Sequence, residues 1–186
     1  MASGEPVESA TPRLVPRDRR RFSAMGFPNY RRFWIGGVLT NNGRWVQYVT
    51  TYFIVYRITG SAAWVGMAGF STFIPVLLMN PLAGYVSDHF DRRRVLLAIN
   101  SLCSLLAAAM ALTWAAGGRN VGIWMLLLLV GGFVYGIQLP TWQSFVAECV
   151  PREHLRNAIT MNSTQFNAAR TFGPALGGLL IGTLGP

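Results

Sequence analysis

Gly84-Tyr-Val-Ser-Asp88-His-Phe-Asp91-Arg92-Arg93-Arg94 is a short, densely charged break between two long apolar runs. The run before it covers about 62–86 and the run after it about 95–116. A bilayer core about 30 Å thick needs roughly 20 apolar residues as helix, and both runs are long enough. Working outward, three more such runs appear, at about 33–56, 121–146 and 159–184. The polar breaks between the five runs are short. The spacing therefore predicts an all-α membrane protein with five transmembrane helices.

Composition points the same way. Of 186 residues, 52% are hydrophobic and only 12% charged. The mean hydropathy is +0.35. A soluble domain carries about a quarter charged residues, so neither a soluble globular fold nor a disordered chain fits. The net charge of +9 comes with 16 basic residues, all of them Arg.

The positions of those arginines give them a meaning. Arg13, Arg17, Arg19, Arg20, Arg21, Arg31 and Arg32 precede the first run. Arg92, Arg93 and Arg94 lie between runs two and three, and Arg152 and Arg156 between runs four and five. The opposite side holds only Arg57 and Arg119. The positive-inside rule then places the N-terminus in the cytoplasm and assigns the charge to topology and lipid headgroups. No basic-aromatic motif accompanies it, so nucleic acid is not an expected partner. Residues 1–28, rich in Pro, Ser and Arg, read as a disordered basic cytoplasmic tail, and 29–186 as the transmembrane region.

Two arginines, Arg44 and Arg170, fall inside apolar runs. Charge in a membrane is costly and marks function. Thr40, Arg44, Gln47 and Thr51 share one helical face, as do Thr160, Ser163, Asn167, Arg170 and Pro174. A polar face turned to lipid would leave groups unsatisfied, so both should face a cavity or another helix. Arg44, Gln47, Asn167 and Arg170 are the candidate substrate pathway. Two arginines without a midspan carboxylate favour an anionic or oxygen-rich small molecule. Cys103 and Cys149 offer no disulfide framework, and no cofactor or metal site is expected. No nucleophile-base pair or phosphate loop suggests an enzyme.

The charged break resembles motif A of the major facilitator superfamily. It has the glycine Gly84, the aspartate Asp88 four residues on, and the basic cluster Arg92, Arg93 and Arg94. Asp91 stands where that pattern has a glycine. The resemblance implies a gating latch on the cytoplasmic side, with Asp88 pairing to an arginine or a helix N-terminus and Gly84 allowing close helix approach. Gly173-Pro174-Ala-Leu-Gly177-Gly178 is similar to that superfamily's exporter signature in helix 5, with Thr160 and Ala169 replacing its two upstream glycines. The arginine of motif B in span 4 is not visible. Arg57-Ile-Thr-Gly-Ser61, Pro75, Pro81, Val150-Pro151 and Asn157-Ala158 resemble the enterobactin-exporter-like and macrolide-efflux-like branch.

The resemblance implies a secondary-active exporter of drug or siderophore type in a bacterial inner or plasma membrane. It also implies alternating access and proton coupling, although Glu148, the one acid near a span end, reads better as a loop partner of Arg152. The superfamily builds twelve helices as two halves of 3+3 inverted repeats. Five spans make this chain an incomplete N-terminal half, a truncated fragment lacking the C-terminal helices needed for transport. A non-transporting membrane scaffold or regulatory fragment is the alternative, and it would need neither motif.

Overall fold

The computed structural model describes residues 22–185, and the residues of the basic tail before Phe22 lie outside it. Ser23–Gly26 forms a 3-10 turn. Five α-helices follow: α1 (Pro28–Thr59), α2 (Ala62–His89), α3 (Arg92–Ala115), α4 (Val121–Cys149) and α5 (Arg152–Leu184). Each boundary has a local cause. Pro28 opens α1, where its missing N–H costs nothing. Gly60 ends α1 in the left-handed region, at φ +64°. The Asp91 carboxylate accepts from the Arg94 backbone N–H at 2.8 Å and caps α3. The Asn120 side chain does the same for α4, accepting from Gly122 N–H at 2.9 Å.

Among the described residues, three helices are long and apolar enough to cross a membrane: α2, α3 and α4. Helices α1 and α5, of 32 and 33 residues, have the length but carry the polar faces noted above. Large apolar side chains such as Leu39, Leu77, Leu105 and Leu112 stand exposed on the outside of the bundle. That inside-out distribution suits a hydrocarbon solvent. The chain is a multi-pass helical membrane protein.

The bundle is held by two principal pairings, α2 with α4 and α1 with α5. Both rely on glycines four residues apart. A Cβ on Gly136 would sit 2.6 Å from Met79 Cβ and 3.0 Å from Val76 Cα. One on Gly132 would sit 2.5 Å from the Thr72 carbonyl oxygen, with Pro75 also close. On α5, Gly173 lies against Trp45, and Gly177 against Val46 and Val49 of α1. Gly84 is different. Nothing lies within 4 Å of where its side chain would be, so it mediates no helix approach here. Gly178 is equally open, so the packing half of the α5 signature is Gly173 and Gly177.

The arginine-rich connections gather at one end. Tyr30, fully buried, donates its hydroxyl to the Ala158 carbonyl at 2.9 Å. The Ala24 backbone N–H donates to Asn157 Oδ1 at 3.1 Å, and Ser23 Oγ lies 3.1 Å from His154 Nδ1. Residues 22–28, assigned above to a disordered tail, are therefore packed onto the start of α5. Apolar contacts among Ala24, Tyr30, Val146, Val150, Ala158 and Met161 pack α1, α4 and α5 together at this end.

Gly136→Leu should lower the unfolding free energy in detergent by about 1–3 kcal/mol, the usual cost of overpacking. Gly84→Ala, in an exposed helix, should raise it by up to about 1 kcal/mol. Thermal or denaturant unfolding followed by circular dichroism checks both.

Candidate functional site

Helices α1, α3 and α4 enclose a cavity of about 630 Å³. Its size is that of a small-molecule site. Its deep end is polar. Arg44, half-buried, donates from Nη2 to Gln138 Oε1. Gln138 Nε2 donates to Asn100 Oδ1 at 2.8 Å, and Asn100 Nδ2 donates to the Leu96 carbonyl at 2.8 Å. The Arg44 guanidinium also lies 3.8 Å from the centroid of the Tyr135 ring. A cation over an aromatic face is stabilised by the ring quadrupole. The charge is thus solvated by an amide relay and a ring, without a carboxylate.

The relay has a direction. Every step passes a donor to an acceptor and ends on a backbone carbonyl. Each amide oxygen in it already accepts one hydrogen bond, while several donors have no partner. The remaining Arg44 N–H groups are available. Asn41, 7% exposed, also lines the cavity, and its Nδ2 has no partner. The walls are apolar and aromatic, with Phe33, Leu96, Trp142 and Phe145.

The far end is closed where α1 meets α3. Gln47 Nε2 lies 3.2 Å from the sulfur of Met110, and Thr51 Oγ1 lies 3.9 Å from it. From there the lining residues run to Asn29 and Arg32 on α1 and to Asp91 and Arg93 on α3, at the arginine-rich end.

The proposed latch takes a different route from the expected one. Arg92 donates from Nη1 to the Glu148 carboxylate and from Nε to the Ser87 carbonyl at 3.1 Å. Ser87 Oγ meets Thr141 Oγ1 at 3.0 Å. So α2, α3 and α4 are tied together around Arg92. Glu148 thus pairs with Arg92 in place of the expected Arg152. Asp88 is exposed and makes no ion pair or hydrogen bond among the described residues. Asp91 serves as the α3 cap. Arg93 and Arg94 are exposed.

The candidate pathway residues separate. Arg44 is inside the cavity, and Gln47 forms part of its closure. Asn167 and Arg170 are exposed on the outer face of α5 and line no common space with Arg44. Asn167 Nδ2 turns back to the Ser163 carbonyl at 2.8 Å. A shallow groove beside it is lined by Thr160, Ser163, Thr164, Asn167 and Thr171. Thr40 and Arg44 line the cavity, and Thr160, Ser163 and Asn167 line the groove; the two polar faces do not converge within this chain. Asn41, Asn100, Tyr135 and Gln138 were not singled out in the sequence. Their signal was there, as single amides in apolar runs, which in a membrane require a partner.

The transmembrane secretion effector family of the major facilitator superfamily matches residues 20–186. The chain belongs to this family. Its relatives include the staphyloferrin A transporter of Staphylococcus aureus, 22% identical over 140 residues, covering 75% of this chain and 35% of that protein. The multidrug efflux pump Tap of Mycobacterium tuberculosis is 28% identical over 151 residues, covering 77% and 35%. An uncharacterized MFS-type transporter of Bacillus subtilis, YfiS, is 26% identical over 146 residues, covering 77% and 33%. The chain spans about a third of the length of these relatives. They are named as transporters, and this member of the family is not an enzyme. No solved structure gives a significant match.

Gln138→Leu should strip Arg44 of its acceptor and Asn100 of its donor, and lower stability by about 2–3 kcal/mol. Glu148→Gln, at a rim where Glu148 is 47% exposed, should cost under about 1 kcal/mol. Denaturant unfolding in detergent ranks the two; the reverse order would remove the relay from its structural role.

Proposed function

We propose that this chain is part of a secondary-active exporter of small, oxygen-rich or anionic molecules, and that the cavity around Arg44 receives the substrate. The observation that carries this reading is the donor surplus of the cavity. A relay with spare donors beside a guanidinium recognises carboxylate, phosphate or phenolate oxygens. The relatives named for staphyloferrin A transport and for multidrug efflux support an export or secretion role and give two substrate classes to compare. A non-transporting scaffold has no use for a guanidinium held beside an open cavity.

In this reading all five α-helices cross a bacterial cell membrane, with the N-terminus in the cytoplasm. The polar faces of α1 and α5 account for the two helices that apolar composition leaves undecided. The exposed stripe of Thr160, Ser163, Asn167 and Arg170 faces protein or a water-filled path, because lipid cannot satisfy it. The pairing pattern fits 3+3 inverted repeats. Exchanging helices 1 with 4 and 2 with 5 turns the α1–α5 pairing into the α4–α2 pairing, and both are the major ones. These helices then act with the remaining helices of a longer transporter by alternating access. The Arg92–Glu148 contact holds the cytoplasmic end together in one state and releases it in the other. Coupling to the proton gradient follows from the family and is assigned to no residue here.

The test is efflux from cells carrying the whole transporter. Arg44→Ala should slow export of an anionic substrate about tenfold or more, the scale of one lost hydrogen bond to a charged group. Arg170→Ala should slow it by a smaller factor, with membrane levels unchanged in both. Normal export by both variants overturns the reading. Comparison of siderophore secretion with a drug panel in a deletion strain assigns the substrate class.

A further inference from the structure

The cavity has a second cationic locus that substrate recognition at Arg44 does not use. Arg32 on α1 and Arg93 on α3 both line it, and both are exposed at its arginine-rich end. Neither makes an ion pair or a side-chain hydrogen bond among the described residues. Of the two acids that line the same cavity, Glu148 holds Arg92, and Asp91 caps α3 through a neutral backbone N–H and keeps its charge. The open end therefore carries two unpaired guanidiniums against one free carboxylate. Just inside them the lining turns apolar, with Phe33, Leu96, Leu97 and Phe145. Leu97 lines the cavity and is still 60% exposed. On α1, Ile35 and Leu39 adjoin the lining residues Gly36 and Thr40 and are 52% and 72% exposed.

Charged heads at a membrane surface with an apolar slot directly behind them match one ligand shape. We propose that the splayed end of α1 and α3 binds an anionic phospholipid, its phosphate between Arg32 and Arg93 and an acyl chain along Leu97 and the outward face of α1. The depth of the slot fits this placement. The helices splay only as far as the Gln47–Met110 contact, so a chain enters from the cytoplasmic leaflet and cannot thread through. Basic pockets between helices on the cytoplasmic side attract anionic headgroups, about fivefold per arginine near the surface. The site depends on membrane insertion and orientation, and it is independent of what Arg44 binds. Loss of export in Arg44→Ala leaves it untouched, and its failure leaves the export reading untouched.

Native mass spectrometry of the protein released from mixed phosphatidylglycerol and phosphatidylcholine nanodiscs reads the site directly. The wild type should retain phosphatidylglycerol over phosphatidylcholine at least about fivefold, the effect of one to two such arginines. The Arg32→Gln/Arg93→Gln variant should fall to near parity. Arg152→Gln/Arg156→Gln, which removes two exposed arginines at the same end of the bundle, should keep the preference. An equal loss in both double variants would mean diffuse surface attraction and overturn the site, as would a preference that survives in the first. Excess glycerol 3-phosphate should leave the lipid bound; displacement by it overturns the lipid as occupant. A phosphatidylglycerol with a diazirine in its acyl chain gives a readout on the wild type alone. It should label peptides containing residues 32–40 and 92–100, and labelling confined to α2 or α5 would rule the placement out.

Discussion

A guanidinium between apolar helices has to be solvated by the protein around it, and that requirement organises the centre of this bundle. Arg44 is answered by Gln138, Gln138 by Asn100, and Asn100 by the Leu96 carbonyl of its own helix. The chain of donors links α1, α4 and α3. It fixes which faces of those helices look inward. It also decides the chemistry of the cavity, because a relay ending on a backbone carbonyl leaves donors at its open end.

The relay holds its geometry because the helices beside it are tightly paired. Gly132 and Gly136 bring α4 onto α2, and Gly173 and Gly177 bring α5 onto α1. In hydrocarbon there is little hydrophobic drive between helices, so close backbone approach supplies the attraction. The bundle is two tight couples, α1 with α5 and α2 with α4. The Arg44–Gln138 bond joins one couple to the other.

Much of this was legible in the sequence. Apolar length gave five helices, and their limits differ from the described ones by a few residues at most, except at the start of α5. There the apolar run begins at 159, while the helix begins at Arg152 because Pro151 favours the first turn and a polar helix end needs no apolar signal. The polar stripe around Arg44 was visible as a period of three and four. Its partners were not, because Gln138 and Asn100 are uncharged and 38 residues apart. Among the described residues, Gly84 meets no neighbouring helix and Asp88 has no partner, while Glu148 of α4 pairs with Arg92. A linear motif records which residues cluster along the chain; the partner of Arg92 lies 56 residues away.

The order of pairing also has a consequence for how the protein is made. Tyr30 and its acceptor Ala158 are 128 residues apart, so α1 leaves the ribosome well before α5. At about 5–20 residues per second, α1 waits roughly 6 to 25 seconds for α5. During that interval α3 and α4 bring Met110 and Gln138 to its polar stripe, while the face that packs on α5 stays uncovered. The start of α1 therefore takes its final packing only after the other described helices have been made.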